Sequence, residues 1–267
     1  MNDHNHGMAL ITGASSGIGA AFARTLAERG HDLVLVARRQ ERLEALADEL
    51  ESTHGIDSDI ILADLAEESG IARVETTIKK ADDLSLLINN AGFEARGPFV
   101  EVDLERHTDM LHVHVLTPVR LTHTALPGMI ERGRGGIINV SSVSGFVPLP
   151  RNLTYSATKR YLITFSRGLQ TELRGTGVRV QALCPGFTVT EFHETPGQRS
   201  YGDVQIPRWL WMSADEVVKA SLRCLSRGRV TCIPSFRHWL IAFVVRSPLA
   251  PLVTWLMDAL QETSGDR

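Results

Sequence analysis

The sequence predicts an α/β fold in which one doubly wound parallel sheet, of about seven strands, is flanked by helices. Short apolar runs alternate along the chain with longer segments whose apolar residues recur at helical spacing. A glycine-rich turn joins the first apolar run to the first helical segment, as in the βαβ units that build parallel sheets. The chain has 267 residues, 43% of them apolar, which is enough for one large domain.

Composition and charge narrow the class of protein. The net charge of −3 and the scattered arginines give no basic face for nucleic acid. The residues before Met8 are polar and include no apolar stretch of the kind that forms a signal peptide. The cysteines are odd in number and lack the spacing of metal ligands; they are Cys184, Cys224 and Cys232. We therefore expect a cytoplasmic protein in a reducing compartment, without a metal site.

The first βαβ unit contains a candidate phosphate-binding turn. Residues 8–11 and 33–36 predict buried strands, and the helix between them ends at Gly30. Glycines in such a turn let the backbone approach a pyrophosphate, which the helix N-terminus also attracts. The spacing here is Gly-x-x-x-Gly-x-Gly, and its place between strand and helix predicts a dinucleotide site. The candidate ligand-binding residues of the turn are Gly13, Ser15, Ser16, Gly17, Ile18 and Gly19.

Arg38 and Arg39 follow the second strand, where a dinucleotide-binding protein recognises the adenosine ribose. An acidic residue there accepts from the ribose 2′-hydroxyl, whereas arginine suits a 2′-phosphate. No acid stands at Ala37 or Arg38, so we expect NADP(H) rather than NAD(H). The alternative is that both arginines only begin the charged helix over residues 40–51.

The third and fourth strands also end in candidate cofactor residues. Residues 57–63 predict a strand that leads to Asp64 and Leu65. Asp64 could accept from an adenine amino group, or it could cap the helix that runs through residues 71–78. Residues 84–88 predict the fourth strand, which closes in Asn89, Asn90, Ala91 and Gly92. These small and amide residues suit a place where the backbone contacts a ligand; the alternative is a plain turn. Two helices are predicted next, over residues 104–116 and 118–132.

Three side chains near the middle of the chain suit proton transfer to a carbonyl group. Tyr155 and Lys159 lie four residues apart, so they share one face of a helix. An ammonium beside a phenol lowers the pKa of the phenol, which can then exchange a proton near neutral pH. Ser142 ends the fifth strand, and its hydroxyl can donate to an oxygen that gains charge. The alternative is an ordinary pair on a helix surface.

The sixth strand, over residues 178–183, leads into the last predicted site residues, Pro185, Gly186, Thr188 and Thr190. The threonines could bond a carboxamide or a phosphate, although threonines in turns often bond only the local backbone. Residues 191–212 lack periodicity and predict a substrate lid. A capping box at residues 213–216 starts another helix, and residues 230–233 predict the last strand.

Taken together, these motifs resemble those of the short-chain dehydrogenase/reductase family, in the family's order and spacing over residues 8–233. The resemblance implies a Rossmann-like domain, a bound nicotinamide cofactor, and hydride exchange with a small-molecule carbonyl or alcohol. It also implies a homodimer or homotetramer. It makes Tyr155 the general acid/base and Ser142 the donor that orients the carbonyl. Lys159 would lower the pKa of Tyr155 and bind the nicotinamide ribose.

His114 stands where the family has a catalytic asparagine, which holds a water through which protons reach the lysine. Histidine can donate, accept and titrate near neutral pH. We therefore expect a working enzyme with an altered pH dependence. The alternative is a structural histidine in a segment that also contains His107, His112 and His123.

Residues 234–267 form an apolar extension with helical periodicity. It could pack on its own domain or on a second subunit, cover a lipophilic substrate, or lie on a membrane surface. Its low basic charge argues against the membrane surface. The sequence as a whole predicts an NADP(H)-dependent reductase or dehydrogenase for a lipophilic ketone, aldehyde or 3-oxoacyl compound. The alternative from another class is a cofactor-sensing binding protein with little turnover.

Overall fold

The computed structural model describes residues 7–147, 149–191 and 207–245, and the side chains only as far as residue 240. Its main sheet has seven parallel strands in the order β3-β2-β1-β4-β5-β6-β9, which confirms the predicted fold class. The strands, each at or close to its predicted position, are β1 Met8–Thr12, β2 Asp32–Ala37, β3 Ser58–Leu62, β4 Leu84–Asn89, β5 Gly135–Val140, β6 Val178–Leu183 and β9 Thr231–Cys232.

Helices cover both faces of the sheet, so the strands are apolar on both sides. Ala9 and Ile11 of β1 face one core cluster, and Leu10 between them faces the other. Parallel strands buried on two faces read as continuous apolar runs, which explains why these strands were recognisable from sequence. The helices, in chain order, are α1 Gly17–Ala27, α2 Gln40–His54, α3 Glu68–Lys80, α4 Leu104–Leu111, α5 Thr117–Glu131, α6 Leu153–Glu172, α7 Ala214–Ser226 and α8 Phe236–Val245.

The two helices predicted over residues 104–132 are one continuous helical segment. A π-helical turn, His112–Leu116, connects α4 to α5. Pro118 is the second residue of α5, just after this turn, and the helical segment continues through it. π-Helical turns are rare and occur frequently at functional sites, and this one contains His114.

A second, two-stranded sheet was not predicted. Its strands are β7, Thr188–Val189, and β8, Met212–Ser213, and they pair in parallel. This pairing holds the two ends of the predicted lid side by side. Most of the lid, residues 192–206, lies outside the described residues.

Cys224 and Cys232 form a disulfide between the end of α7 and β9, which departs from the expectation of reduced cysteines. Their Cα atoms are 6.0 Å apart, a separation that disulfides span. This pair could not be recognised from local sequence, because the packing of α7 beside β9 creates it. Cys184 is buried and not in a disulfide.

The apolar extension begins with α8, and the residues after 245 lie outside the described part of the chain. None of the described helices has the length and apolar character needed to cross a membrane.

Candidate active site

The candidate site lies at the carboxyl ends of β1, β4, β5 and β6. The strand order reverses between β1 and β4, because the chain builds β2 and β3 on one side of β1 and the later strands on the other. Ligands of open α/β sheets bind in the crevice at such a reversal.

The glycine-rich turn is packed closely enough to require its glycines. Gly13 has φ of +68°, a conformation that favours glycine, and a Cβ on it would lie 2.9 Å from Ala91 Cα. A Cβ on Gly19 would lie 2.2 Å from the carbonyl oxygen of Gly13. The turn therefore folds back on the first turn of α1, where backbone N–H groups can meet a phosphate.

Asn90 holds this turn against the end of β4. Its side-chain Nδ2 donates to the carbonyl oxygens of Thr12 (2.9 Å) and Gly13 (3.2 Å). The Thr12 hydroxyl in turn accepts from the backbone N–H groups of Asn90 and Ala91. Asn90 therefore shapes the predicted cofactor site through the backbone of the glycine-rich turn.

The turn after β6 meets the glycine-rich turn. A Cβ on Gly17 would lie 3.1 Å from the side chain of Thr190. The hydroxyl of Thr188 donates to the carbonyl of Gly186 at 3.1 Å, which is the local backbone bond kept open as an alternative. Thr190 Oγ1 lies 3.5 Å from the carbonyl oxygen of Thr188, which is a long hydrogen bond. The contact of Thr190 with Gly17 therefore relates it more closely to the predicted cofactor site.

Arg39 lies over the glycine-rich turn rather than only starting α2. Its guanidinium donates to the hydroxyls of Ser15 (2.9 Å) and Ser16 (2.7 Å). It also bonds the carboxylate of Glu191, which Arg42 grips at 2.5 and 2.6 Å. These arginines hold the pKa of Glu191 below its usual value. The Glu191 carboxylate thus pairs with two guanidinium groups, one of which also donates to the two hydroxyls of the glycine-rich turn.

Sequence reasoning missed Arg42 and Glu191. The spacing of Arg39 and Arg42, three residues apart at the start of a helix, could have identified Arg42. Glu191 is distant in sequence, and no local pattern pointed to it.

Arg38 points to a different carboxylate. Its Nη1 donates to Asp64 at 3.1 Å, and Asp64 also accepts from the N–H of Ala66. These bonds outweigh the effect of burial and lower the pKa of Asp64. The alternative that Asp64 caps α3 was wrong, because Glu67 occupies the N-cap position.

Some predicted cofactor residues have apolar side chains that contact the core. Ile18 and Ala91 pack against the core clusters, and Leu65 is buried within one of them. The Leu65 carbonyl accepts from the Thr117 hydroxyl at 3.1 Å. What Ile18 and Ala91 can offer to a cofactor is therefore their backbone.

Tyr155 and Lys159 share one buried face of α6. Lys159 Nζ lies 5.4 Å from the centre of the Tyr155 ring and donates to the Val140 carbonyl at 2.9 Å. Val140 ends β5 two residues before Ser142, so this bond ties the lysine to the strand that carries the serine. Burial lowers the pKa of Lys159 from 10.5 to about 8.

Ser142 begins a short 3-10 turn, Val143–Phe146, that is pressed against α6. Its Oγ accepts from the N–H of Ser144 at 3.1 Å. A Cβ on Gly145 would lie 2.8 Å from the carbonyl carbon of Lys159. Only glycine therefore allows the serine-bearing turn to approach the helix of Tyr155 this closely.

His114 is buried against α6, the helix that carries Tyr155 and Lys159, and 1% of its surface is exposed. Its Nε2 accepts from the N–H of Phe93 at 3.0 Å, so in the neutral ring Nδ1 carries the proton. Nδ1 lies 3.0 Å from the Thr158 hydroxyl, which donates to the main-chain carbonyl of Tyr155.

The pKa of His114 differs from the near-neutral value expected from the sequence. Burial and the nearby Lys159 ammonium lower the pKa of His114 well below 6.5. The expected titration near neutral pH therefore moves to more acidic conditions. A Cβ on Gly92 would lie 2.8 Å from His114 Nε2 and 3.5 Å from Lys159 Nζ, so all three residues meet at the end of β4.

The sequence was compared with known proteins. The family model for the short chain dehydrogenase matches residues 7–199. The chain belongs to the short-chain dehydrogenase family of oxidoreductases. A curated relative in Anas platyrhynchos, a very-long-chain 3-oxoacyl-CoA reductase, is 30% identical over 92% of this chain and 78% of its own length.

Solved structures of this family extend the likeness to nearly the whole chain. A short-chain dehydrogenase from Sphingobium yanoikuyae in complex with NADPH is 36% identical, with a TM-score of 0.80. The comparison covers 98% of this chain and 96% of that one. A bulky-bulky ketone specific alcohol dehydrogenase from Comamonas testosteroni is 33% identical, with a TM-score of 0.77 over 98% of this chain and 95% of that one.

Proposed function

We propose that this short-chain dehydrogenase is an NADP(H)-dependent oxidoreductase that interconverts a lipophilic carbonyl compound and its alcohol. The observation that carries the proposal is the buried pair of Tyr155 and Lys159, tied to the end of the strand that bears Ser142. The substrate class is a ketone, an aldehyde or a 3-oxoacyl compound. The bound nicotinamide supplies the hydride in reduction and accepts it in oxidation.

Each of the three side chains has a defined task. With a pKa of about 8, Lys159 is mostly charged at pH 7, and its ammonium favours the ionised form of the neighbouring phenol. In reduction, Tyr155 gives its phenolic proton to the substrate oxygen, and in oxidation it takes that proton back. The Ser142 hydroxyl donates a hydrogen bond to the same oxygen and stabilises its developing charge.

The preference for NADP(H) rests on the arginines at the adenosine end. Arg39 and Arg42 both bond the Glu191 carboxylate, and Arg39 also reaches Ser16 in the glycine-rich turn. Guanidinium groups that bind a carboxylate can equally bind the 2′-phosphate of NADP(H). The Sphingobium relative was solved with NADPH, which supports the same choice.

The lipophilic substrate rests on the apolar surface beside the site and on the relatives. The Trp211 ring lies 5.7 Å from Phe187, the residue after Gly186. Trp209 and Trp239 are largely exposed nearby. A ketone described as bulky and a very-long-chain acyl group are the substrates named for two relatives, and both are lipophilic.

We further propose a homodimer or homotetramer. Leu104 and Leu111 on α4, and Leu153 on α6, are 77%, 48% and 51% exposed. Helices α4 and α6 pack against each other, so this apolar surface is shared between neighbouring helices. Light scattering after size-exclusion chromatography measures the assembly, and a monomer at micromolar concentration would contradict the proposal.

Activity is tested by following NADPH absorbance with a panel of ketones, aldehydes and 3-oxoesters. We expect oxidation of NADPH with at least one lipophilic carbonyl, and its loss in Tyr155→Phe. Tight NADPH binding without oxidation in the whole panel would favour the cofactor-sensing alternative.

The cofactor preference is tested with Arg39→Gln. Losing charge-assisted hydrogen bonds worth about 2 kcal/mol should weaken NADPH binding by about thirtyfold and leave NADH binding nearly unchanged. Arg223→Gln, an exposed arginine on α7, is the matched control and should change neither. Equal losses for both cofactors, or no loss for NADPH, would contradict the assignment.

A further inference from the structure

Two buried polar side chains next to the candidate active site lack hydrogen-bond partners among the described residues. His238, on α8, is 2% exposed, and neither ring nitrogen makes a hydrogen bond. The backbone of Leu210 faces the ring, but not at hydrogen-bonding geometry. The hydroxyl of Ser144 is also buried and unbonded. Buried polar groups are nearly always bonded, so these unbonded groups call for a partner such as a bound ligand.

The fold brings the elements that carry these two residues together. Helix α8 packs against the 3-10 turn that contains Ser144, two residues after Ser142. On its other side the His238 ring touches the turn after β6, because a Cβ on Gly186 would lie only 2.2 Å from its Cδ2 atom and 2.3 Å from Nε2. His238 therefore lies between the turn that follows β5 and the turn that follows β6.

The ring is in the form that recognises a neutral polar group. Burial, with a contribution from Arg237, lowers the pKa of His238. At neutral pH the imidazole is therefore uncharged, with one N–H donor and one acceptor nitrogen. The Ser144 hydroxyl adds a second donor. Two neutral donors on adjoining elements suit a carbonyl oxygen, which has two lone pairs.

The position favours substrate over cofactor. Helix α8 lies beyond residues 7–199, the part of the chain that matches the family model. The predicted cofactor residues lie inside that part, and of these the His238 ring touches Gly186. Ser144 lies past Ser142 on the turn that faces α8, so a group bound there is next to the carbonyl that Ser142 orients.

We infer that His238 and Ser144 form a second polar subsite, which binds a carbonyl oxygen of the substrate other than the one that reacts. The inference rests on the proposed carbonyl reduction and deepens it. Its substrate class is the dicarbonyl compound, such as a 3-oxoester or 3-oxothioester, in contrast to a simple ketone. His238 is a substrate-binding residue in this scheme and takes no part in proton transfer.

The test compares two substrates that differ only in the second carbonyl. Ethyl 3-oxohexanoate contains it, and 1-ethoxyhexan-3-one has a CH₂ group in its place. We expect the wild type to prefer the 3-oxoester in kcat/KM. His238→Phe should reduce that preference by at least about tenfold, the usual effect of one lost hydrogen bond, and mainly by raising KM for the 3-oxoester.

Further variants separate binding from structure. His238→Gln keeps a donor and an acceptor and should restore most of the preference. Ser144→Ala removes one hydroxyl, so it tests the subsite even if the larger change at His238 prevents folding. Leu240→Ala, an exposed position on the same helix, is the control and should leave the preference unchanged. Thermal unfolding of each variant reports whether α8 remains packed.

Several outcomes would overturn the inference: no preference in the wild type, equal losses for both substrates, or no loss in either His238→Phe or Ser144→Ala. A weaker NADPH affinity in His238→Phe, measured by cofactor fluorescence without substrate, would assign the ring to the cofactor instead and also overturn it. If the wild type reduces no carbonyl compound while NADPH binds, the proposed function fails, and this inference fails with it.

Discussion

Replacing His114 with asparagine tests whether the buried imidazole serves the site in its neutral form. The resemblance to the family predicts asparagine at this position, and its amide has both an acceptor and a donor. The shorter side chain can keep the bond to the Phe93 N–H or the bond to Thr158, but it cannot span both. One lost hydrogen bond corresponds to about 1–2 kcal/mol of unfolding free energy at pH 7.

The pH dependence of this deficit follows from the lowered pKa of His114. Between 6.5, the pKa in the unfolded chain, and the lower pKa in the folded protein, only the unfolded state binds a proton. The stability of the wild type is therefore fully present above about pH 6.5 and falls as the pH decreases. The loss that His114 contributes therefore grows as the pH falls from about 7 toward the lowered pKa of the folded protein. The asparagine variant lacks this contribution.

Urea unfolding of both proteins over this pH range measures the difference. Other titrating groups act on both proteins alike, so the stability deficit of His114→Asn should shrink on acidification below about pH 6.5. Curves that run parallel would refute the buried neutral imidazole. We also expect turnover within about tenfold of the wild type, or ~1.4 kcal/mol of barrier. Complete loss of activity would refute the idea that histidine replaces the asparagine in the proton relay.

Two further substitutions test the catalytic face of α6. Lys159→Met should abolish reduction. It should also raise the free energy of unfolding at pH 7 by roughly 2 kcal/mol, because burying an ammonium whose pKa falls to about 8 destabilises the folded state, even with its hydrogen bond to Val140. This gain should disappear as the pH rises from about 8 to about 10.5, and a variant less stable than the wild type at pH 7 would contradict it. Gly145→Ala should lower kcat/KM by about tenfold to a hundredfold, which corresponds to ~1.4 to ~2.7 kcal/mol of activation barrier, because the added Cβ pushes the Ser142 turn away from Lys159. NADPH binding should persist. Gly168→Ala, with open space around the added atom, is its control, and equal activity in both variants would contradict the argument.

Much of the fold could be predicted from the sequence because the sheet is covered on both faces. Strands such as β1 and β6 are then uninterrupted apolar runs, which stand out between polar segments. The continuity of α4 with α5 could not be predicted, since the π-helical turn is set by tertiary packing around His114. The pairing of β7 with β8 was equally hidden, because two-residue strands have no periodicity to detect.

Some residues of the candidate site could likewise be predicted from the sequence, and others could not. Residues in local motifs, such as Tyr155 and Lys159, could be identified because helical spacing fixes which side chains share a face. Glu191 and His238 could not, because their partners are far away in sequence. Asn90 is predicted to contact the cofactor, and the structure shows that its side chain bonds the glycine-rich turn, which spacing alone does not reveal.

The charge states of Lys159 and His114 depend on each other. Both are fully buried and His114 Nε2 lies close to Lys159 Nζ at Gly92, so two positive charges there would repel strongly. The lysine keeps its proton because electrostatic interactions, that with Glu94 first, oppose the effect of burial on its pKa. His114 gains no such support and becomes the neutral partner. A neutral imidazole therefore allows a charged lysine with a pKa near the working pH, which is the condition under which it can release and regain a proton.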